Sequence, residues 1–330
     1  MQERVGLLET SNYGKLEISG PAAEGWLSRV MANRVPPVGR IALTPMLNDG
    51  GKLIGDFTMC RLAADRVLLI GTLAAETYYL RWFERHLPPS GVHVRACAME
   101  HVGLSVAGPA SRALLQRLVR DDLSNTAFPF LTFRRVDIGM IPVLVGRISF
   151  TGELGYEIWV SPDYQRALHE LLVTAGAEQG LKHFGGRALN AMRIEKGFGN
   201  WAREFRPIYG PYEAGLGRFV ALEKGDFVGR AAALKERASG GEMRLVAFAV
   251  NAADADAIGD EPIWHDGRVV GWVTSGAYGH RVGRSLALGY VPAAVAAATR
   301  GFEIEIIGER RPAERLAACA YDSGGLRMRS

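Results

Sequence analysis

The chain has 330 residues, 48% hydrophobic and 22% charged, a composition that excludes a disordered or fibrous protein. A chain this long makes two or three domains and buries roughly three quarters of its unfolded surface, so it needs neither disulfides nor metal to fold. Its 39 basic and 35 acidic residues leave a net charge of +4; the scatter of that charge argues against a nucleic-acid surface and is compatible with a small anionic ligand.

Residues 15–19 alternate as a strand, Gly20-Pro21 turns the chain, and residues 22–30 carry apolar side chains at helical spacing. Strands are predicted over 53–62 and 66–70. An amphipathic helix follows over 74–86, with Leu80, Phe83 and Leu87 on one face, and then a strand over 92–96. The strand, Gly-Pro turn and helix then recur over 101–106, Gly108-Pro109 and 110–119. The likeness of Ile18-Ser-Gly-Pro-Ala22 to Val106-Ala-Gly-Pro-Ala110 suggests two related α/β lobes, the alternative being chance reuse of a common turn. Residues 136–147 are strand-rich, 149–160 form a turn and a strand, and 163–177 and 186–195 are helical. Ala238-Ser-Gly-Gly-Glu242 reads as a linker. Short strands at 244–250, 262–264, 269–274, 285–290 and 302–307 follow, with Asp266-Gly267 as a hairpin turn and Gly308-Glu-Arg-Arg-Pro312 as a solvated turn. The last 90 or so residues thus read as a β-barrel or sandwich, and the fold class is α+β with about three domains.

Cys60, Cys97 and Cys319 are odd in number, sit among apolar neighbours and form no metal-spaced motif, so buried free thiols are expected. The seven histidines do not cluster. No GxGxxG follows a strand, and neither Walker A nor HExxH occurs, so a built-in nicotinamide or flavin domain is not expected. The N-terminus has no apolar signal region, and the longest apolar run, Val67 to Ala75, is too short to span a bilayer. A soluble, cytoplasmic protein is the expectation.

Three stretches could carry chemistry. In Asn48-Asp-Gly-Gly-Lys-Leu-Ile-Gly-Asp56-Phe-Thr-Met, an Asp follows a glycine turn and enters an apolar segment. Such a carboxylate either loses solvent and can orient or deprotonate an ammonium group, or it faces water at a strand end. In Ser149-Phe-Thr-Gly-Glu-Leu-Gly-Tyr-Glu157-Ile-Trp-Val, strand alternation puts Tyr156, Ile158 and Val160 on one face and Glu157 and Trp159 on the other. Glu157 either accepts paired N–H donors from a planar aminopyrimidine or faces solvent. In Arg187-Ala-Leu-Asn-Ala-Met-Arg193-Ile-Glu-Lys-Gly197, a helix ends at Gly197 and carries Arg193, which either binds a ligand carboxylate or pairs with Glu195 or another acid. Trp201 and Tyr212 could stack on a ring, though isolated aromatics more often serve a core.

Several motifs in order resemble the aminomethyltransferase family, the T-protein of the glycine cleavage system and its relatives, and most of all the C-terminal folate-binding half of dimethylglycine and sarcosine dehydrogenases. They are Val5-Gly-Leu-Leu8, Tyr13-Gly-Lys15, Ser19-Gly-Pro-Ala22, Pro45-Met-Leu-Asn48 with Gly51 and Asp56, and Phe150-Thr-Gly-Glu-Leu-Gly-Tyr-Glu157. Then come Met192-Arg-Ile-Glu-Lys-Gly197, Trp201, Tyr212-Glu-Ala-Gly-Leu-Gly217, Lys224-Gly-Asp-Phe-Val-Gly-Arg230, Val273-Thr-Ser-Gly276 and Gly289-Tyr-Val-Pro292. The resemblance implies a three-domain fold around a central channel: a discontinuous folate-binding lobe over 1–42 and 137–237, a second α/β lobe over 43–136 and a C-terminal barrel over 243–330. It implies tetrahydrofolate as cofactor, Asp56 as the catalytic acid beside the reactive N5, and Glu157 on the pterin edge. Asn48, Thr58, Leu68, Phe150, Arg187, Arg193 and Trp201 complete the implied folate-binding set.

Some positions depart from the family pattern. Leu68 stands where the family commonly has Tyr, Ala188-Leu189-Asn190 replaces Ala-Arg-Asp, and Arg218 replaces a Trp. On this resemblance, the segment that precedes Val5 in the family and the flavin domain of the dehydrogenases are expected to be lacking. The changes at Leu68, Leu189 and Arg218 lean away from a true glycine-cleavage T-protein and toward the dehydrogenase-linked branch. The implied activity is one-carbon transfer from a small amine to tetrahydrofolate, with a separate flavoprotein or lipoyl protein as partner. The alternatives are a folate-dependent O- or S-demethylase and a non-catalytic folate-binding maturation factor.

Overall fold

The computed structural model describes residues 1–330. The chain order is β1 (Gly6–Glu9), β2 (Tyr13–Ser19), α1 (Ala23–Val30), β3 (Ile41–Leu47), β4 (Leu53–Ala63), β5 (Arg66–Thr72), α2 (Glu76–His86), β6 (His93–Ala96), β7 (Val102–Ala107), α3 (Ser111–Gln116), β8 (Phe133–Ile138), β9 (Ile141–Gly146), β10 (Gly155–Val160), α4 (Pro162–Gly176), β11 (Lys182–His183) and α5 (Gly186–Glu195). It continues with α6 (Arg230–Ser239), β12 (Met243–Val250), β13 (Pro262–His265), β14 (Arg268–Gly279), β15 (Arg284–Pro292), β16 (Phe302–Ile306), β17 (Glu309–Leu316) and α7 (Leu326–Arg329). Two compact units emerge: Met1–Thr44, Phe57–Gly185 and Gly325–Ser330 form the first, and Pro45–Asp56 with Gly186–Gly324 form the second. The α+β content and the α/β lobes agree with the sequence reading. No helix is long and apolar enough to cross a membrane, and all three cysteines are free thiols.

The first unit contains a six-stranded sheet in the order β11-β1-β7-β10-β9-β8, and a five-stranded sheet in the order β3-β4-β5-β2-β6 whose first two strands run on into the second unit's segment. β10 is central and buried along its whole length. Its Tyr156, Ile158 and Val160 pack with Leu114 and Leu115 of α3 and Leu168 and Leu172 of α4. Its opposite face puts Trp159 in a cluster with Cys60, Leu68 and Ile70 of the five-stranded sheet. The repeated Gly-Pro device is real at the level of the backbone. Gly20 and Gly108 take φ of 118° and 120°, a region open to glycine and closed to most side chains. In each copy the residue after Pro donates its N–H to a distant carbonyl, Ala22 to Gly91 O (3.0 Å) and Ala110 to Arg4 O (2.9 Å), and a helix follows.

One glycine shapes the space around β10. A Cβ at Gly103, which pairs with Trp159 across the β7–β10 ladder, would lie 2.3 Å from the Trp159 ring and 2.5 Å from Thr10 Oγ1. The indole ring occupies the volume that the missing side chain leaves. Gly103→Ala is therefore expected to destabilise the protein by about 1–3 kcal/mol, the range for overpacking a filled core, read as a lower denaturant midpoint with an unchanged slope.

In the second unit, β12-β15-β14-β13-β16-β17 close into a barrel around Phe248, Ile263, Val273, Phe302 and Ile304. The Asp266-Gly267 hairpin forms with both residues at positive φ, 48° and 78°, as a two-residue primed turn requires. Gly308-Glu-Arg-Arg-Pro312, expected as a solvated turn, is corrected by the structure. The turn is Ile307-Gly308, at φ 53° and 78°, and Glu309–Leu316 is β17, the strand that closes the barrel on β12. Its charged run reads as solvent-exposed because Arg310, Pro312 and Glu314 face outward, while the other face carries the buried Ala313 and the largely covered Arg311, held by Asp254 and Glu309.

Candidate active site

Glu157 lies on β10 between β7 and β9, paired with Ser105 and Gly146. It is only 8% exposed. No ion pair or hydrogen bond reaches its carboxyl group, and burial pushes its pKa up to about 7. Two residues along the same face, the Trp159 Nε1–H is buried without an acceptor. Tyr13 stands 6.0 Å from the Trp159 ring at 54°. Burial, and after it the charge of Glu157, raise both the Tyr13 phenol and the Cys60 thiol above their usual ranges.

Lys15 holds this cluster from behind. Its Nζ donates to the carbonyls of Ser11 (2.9 Å), Tyr13 (2.8 Å) and Ala98 (3.0 Å) and sits 4.9 Å from the Trp159 ring centroid, a cation–π distance. Burial lowers its pKa to about 8. A buried carboxylate without donors is costly to the folded state, and a planar ligand offering two N–H groups would remove that cost.

Asp56 closes the first segment of the second unit and is partly buried. Its carboxyl group accepts its own backbone N–H; burial, with the Glu204 charge as a smaller contribution, raises its pKa to about 7. A carboxylate poised there exchanges a proton near neutrality in either direction. The strand leading to it is held at two adjacent residues: Leu53 N–H donates to Tyr209 O (2.9 Å) and Trp201 Nε1–H donates to Ile54 O (2.8 Å).

The remaining candidates separate by role. Asn48 serves its own turn, its Oδ1 accepting the Lys52 N–H at 2.9 Å. Leu68 is a core residue of the Trp159 cluster; Thr58 and Phe150 lie in the first unit, half-buried. Arg187 is exposed in the second unit. Arg193 places four N–H bonds inside that unit: to Asn190 Oδ1 (3.0 Å), Phe198 O (2.9 Å), Glu204 Oε2 (3.0 Å) and Ser275 Oγ (2.6 Å). Of the two acids open to it, the partner is Glu204; Glu195 instead accepts the backbone N–H of Arg281 (2.6 Å). Glu204 escaped the sequence reading, and Lys15 entered it only as the last residue of the Tyr13-Gly-Lys15 motif, with no role assigned.

Comparison with known proteins gives a consistent picture. Residues 1–224 match the GCVT N-terminal domain, and residues 244–322 match the glycine cleavage T-protein C-terminal barrel domain. The mitochondrial dimethylglycine dehydrogenase of Rattus norvegicus is 37% identical over 316 residues, covering 95% of this chain and 37% of its own length. This chain thus spans a little over a third of that relative. The aminomethyltransferase of Synechocystis sp. is 31% identical over 318 residues, covering 94% of this chain and 83% of its own length. The crystal structure of the glycine cleavage system aminomethyltransferase T from Bartonella henselae shares the fold, with a TM-score of 0.88 at 22% identity over 98% of this chain and 88% of that one.

Proposed function

Because this chain belongs to the aminomethyltransferase family of the glycine cleavage T-protein, whose enzymes transfer one-carbon units, we propose that it moves an aminomethyl or methylene unit from a small amine to tetrahydrofolate. The observation that carries this reading is Glu157, a buried carboxylate with no protein donor, beside an indole N–H with no acceptor. A reduced pterin presents an N–H pair for such a carboxylate and a planar face for the neighbouring aromatics. Tetrahydrofolate supplies a nucleophilic nitrogen.

The protein's contribution is binding, orientation and proton control. Glu157, ionised on binding, holds the donor edge. Asp56 orients the ammonium end of the amine donor and carries a proton to the departing amine, a task suited to a carboxyl group that titrates near neutrality. A separate lipoyl protein or an amine-oxidising flavoprotein delivers the activated carbon.

Product analysis tests this reading. The protein is incubated with tetrahydrofolate and an aminomethyl-lipoyl donor, and in parallel with dimethylglycine or sarcosine and an oxidising flavoprotein. Protein-dependent methylenetetrahydrofolate is expected from one of them. Methyltetrahydrofolate formed from an O- or S-methyl donor, or no folate product from any donor, contradicts the reading.

A further inference from the structure

The loop after α5 joins the strand that carries Asp56 to the barrel. At one end of the loop, Trp201 and Tyr209 grip the chain two and three residues before Asp56, at Ile54 O (2.8 Å) and Leu53 N–H (2.9 Å). At the other, Glu204 is fully buried and its side chain is bonded on every side. Oε2 accepts from Arg193 Nη1 (3.0 Å) and from the Asn200 N–H (2.9 Å), and Oε1 accepts from Thr274 Oγ1 (2.7 Å). Its backbone carbonyl takes the Tyr290 hydroxyl at 2.8 Å, and the Tyr290 ring stacks on Tyr209 at 3.5 Å. Arg193 comes from α5, Thr274 from β14 and Tyr290 from β15, so two barrel strands and a helix meet on one five-residue turn, Trp201–Phe205.

The geometry points to Trp201 and Glu204 as positioning residues for Asp56: the turn they share, locked by the buried Glu204 and tied to Ile54 O by the Trp201 indole, fixes the Leu53–Asp56 segment against the barrel. The role rests on the reading of Asp56 as the proton-handling group. A turn whose only task was to fold could be closed by apolar packing. Here, an indole N–H is directed at the backbone next to the reacting carboxylate, and a buried ion pair is retained although such pairs add little net stability over well-packed apolar groups. Glu204 is the charged side chain bearing on Asp56, and the charges facing Glu204 are Arg193, in contact, with Arg203 beyond it.

The test uses three variants of the full chain. Asp56→Asn establishes that turnover depends on the carboxylate. Trp201→Phe keeps the ring and loses the N–H; it is expected to lower kcat about tenfold or more through misplacement of Asp56, with KM for tetrahydrofolate unchanged. Glu204→Gln removes the buried negative charge and leaves Arg193. The Asp56 carboxyl signal, assigned by its disappearance in Asp56→Asn and followed by carbon-13 NMR, is expected to titrate at lower pH than in the parent. Wild-type kcat in Trp201→Phe, or an unmoved Asp56 titration in folded Glu204→Gln, overturns the inference. Where Glu204→Gln does not fold, the kcat-against-KM split of Trp201→Phe decides alone. Unchanged turnover in Asp56→Asn sinks the underlying reading instead, a result distinct from either.

Discussion

Asp56→Asn is expected to lower turnover by about 10²–10⁴-fold, the usual contribution of a positioned proton-transfer group, with tetrahydrofolate affinity nearly unchanged. Asn matches the carboxylate in shape but neither ionises nor carries a proton between donor and amine. Loss of folding is not an alternative explanation. Burial raises the Asp56 pKa to about 7, so the folded state resists ionising this group, and a neutral side chain relieves that resistance at pH 8. The variant should therefore be at least as stable as the parent while far slower. In the parent, activity that requires the ionised form falls as pH drops through about 7. Steady-state rates across pH 5–9, with a thermal melt on each variant, check both statements. Full turnover in a folded Asp56→Asn would refute the catalytic assignment.

Glu157→Gln should have two opposite effects. The first is on stability. With its pKa raised from an ordinary 4.5 to about 7, Glu157 keeps a proton in the folded protein that the unfolded chain has already lost. Stability is therefore greatest below about pH 4.5 as far as this group is concerned, and declines as pH rises through about 7. The full decline is on the order of 3 kcal/mol at 1.36 kcal/mol per unit. Gln removes the titration, so the variant should be more stable than the parent at pH 8 and show a flatter stability–pH curve, measured by urea unfolding at a series of pH values.

The second effect is on binding. Gln puts an N–H where the ligand also brings one, and two charge-assisted bonds are lost, together about 2–4 kcal/mol or roughly 30- to 1000-fold in affinity. A group that stabilises the protein when removed and abolishes binding when removed is retained for the ligand, not for the fold.

How much of this was open to view in the sequence depended on range. Glu157 and Trp159 could be assigned to one strand face because alternation is a local property, and Asp266-Gly267 and the two Gly-Pro turns could be placed because each conformation is set by the residues themselves. The depth of Glu157 could not be read, since a half-solvated strand and one covered on both faces alternate in the same way. β3 was missed because Pro45 interrupts it; the strand lies at the edge of its sheet, where a missing N–H does no harm. β14 was expected to stop at 274 and runs to Gly279. It continues through Gly276, where a Cβ would come within 2.2 Å of Ala257 O, so this glycine permits a close backbone approach inside the strand. Glu204 left no local trace at all, because Arg193 is 11 positions away and Thr274 is 70.

Equilibrium titration with tetrahydrofolate, run on the parent and on Glu157→Gln, goes to the heart of the account. The parent should bind with an affinity that is flat above about pH 7 and weakens tenfold per unit below it, as Glu157 must first release its proton. Glu157→Gln should bind at least tens of fold more weakly at pH 8, and with no such pH dependence. Failure of the parent to bind reduced folate, or equal binding by both proteins, would contradict the account.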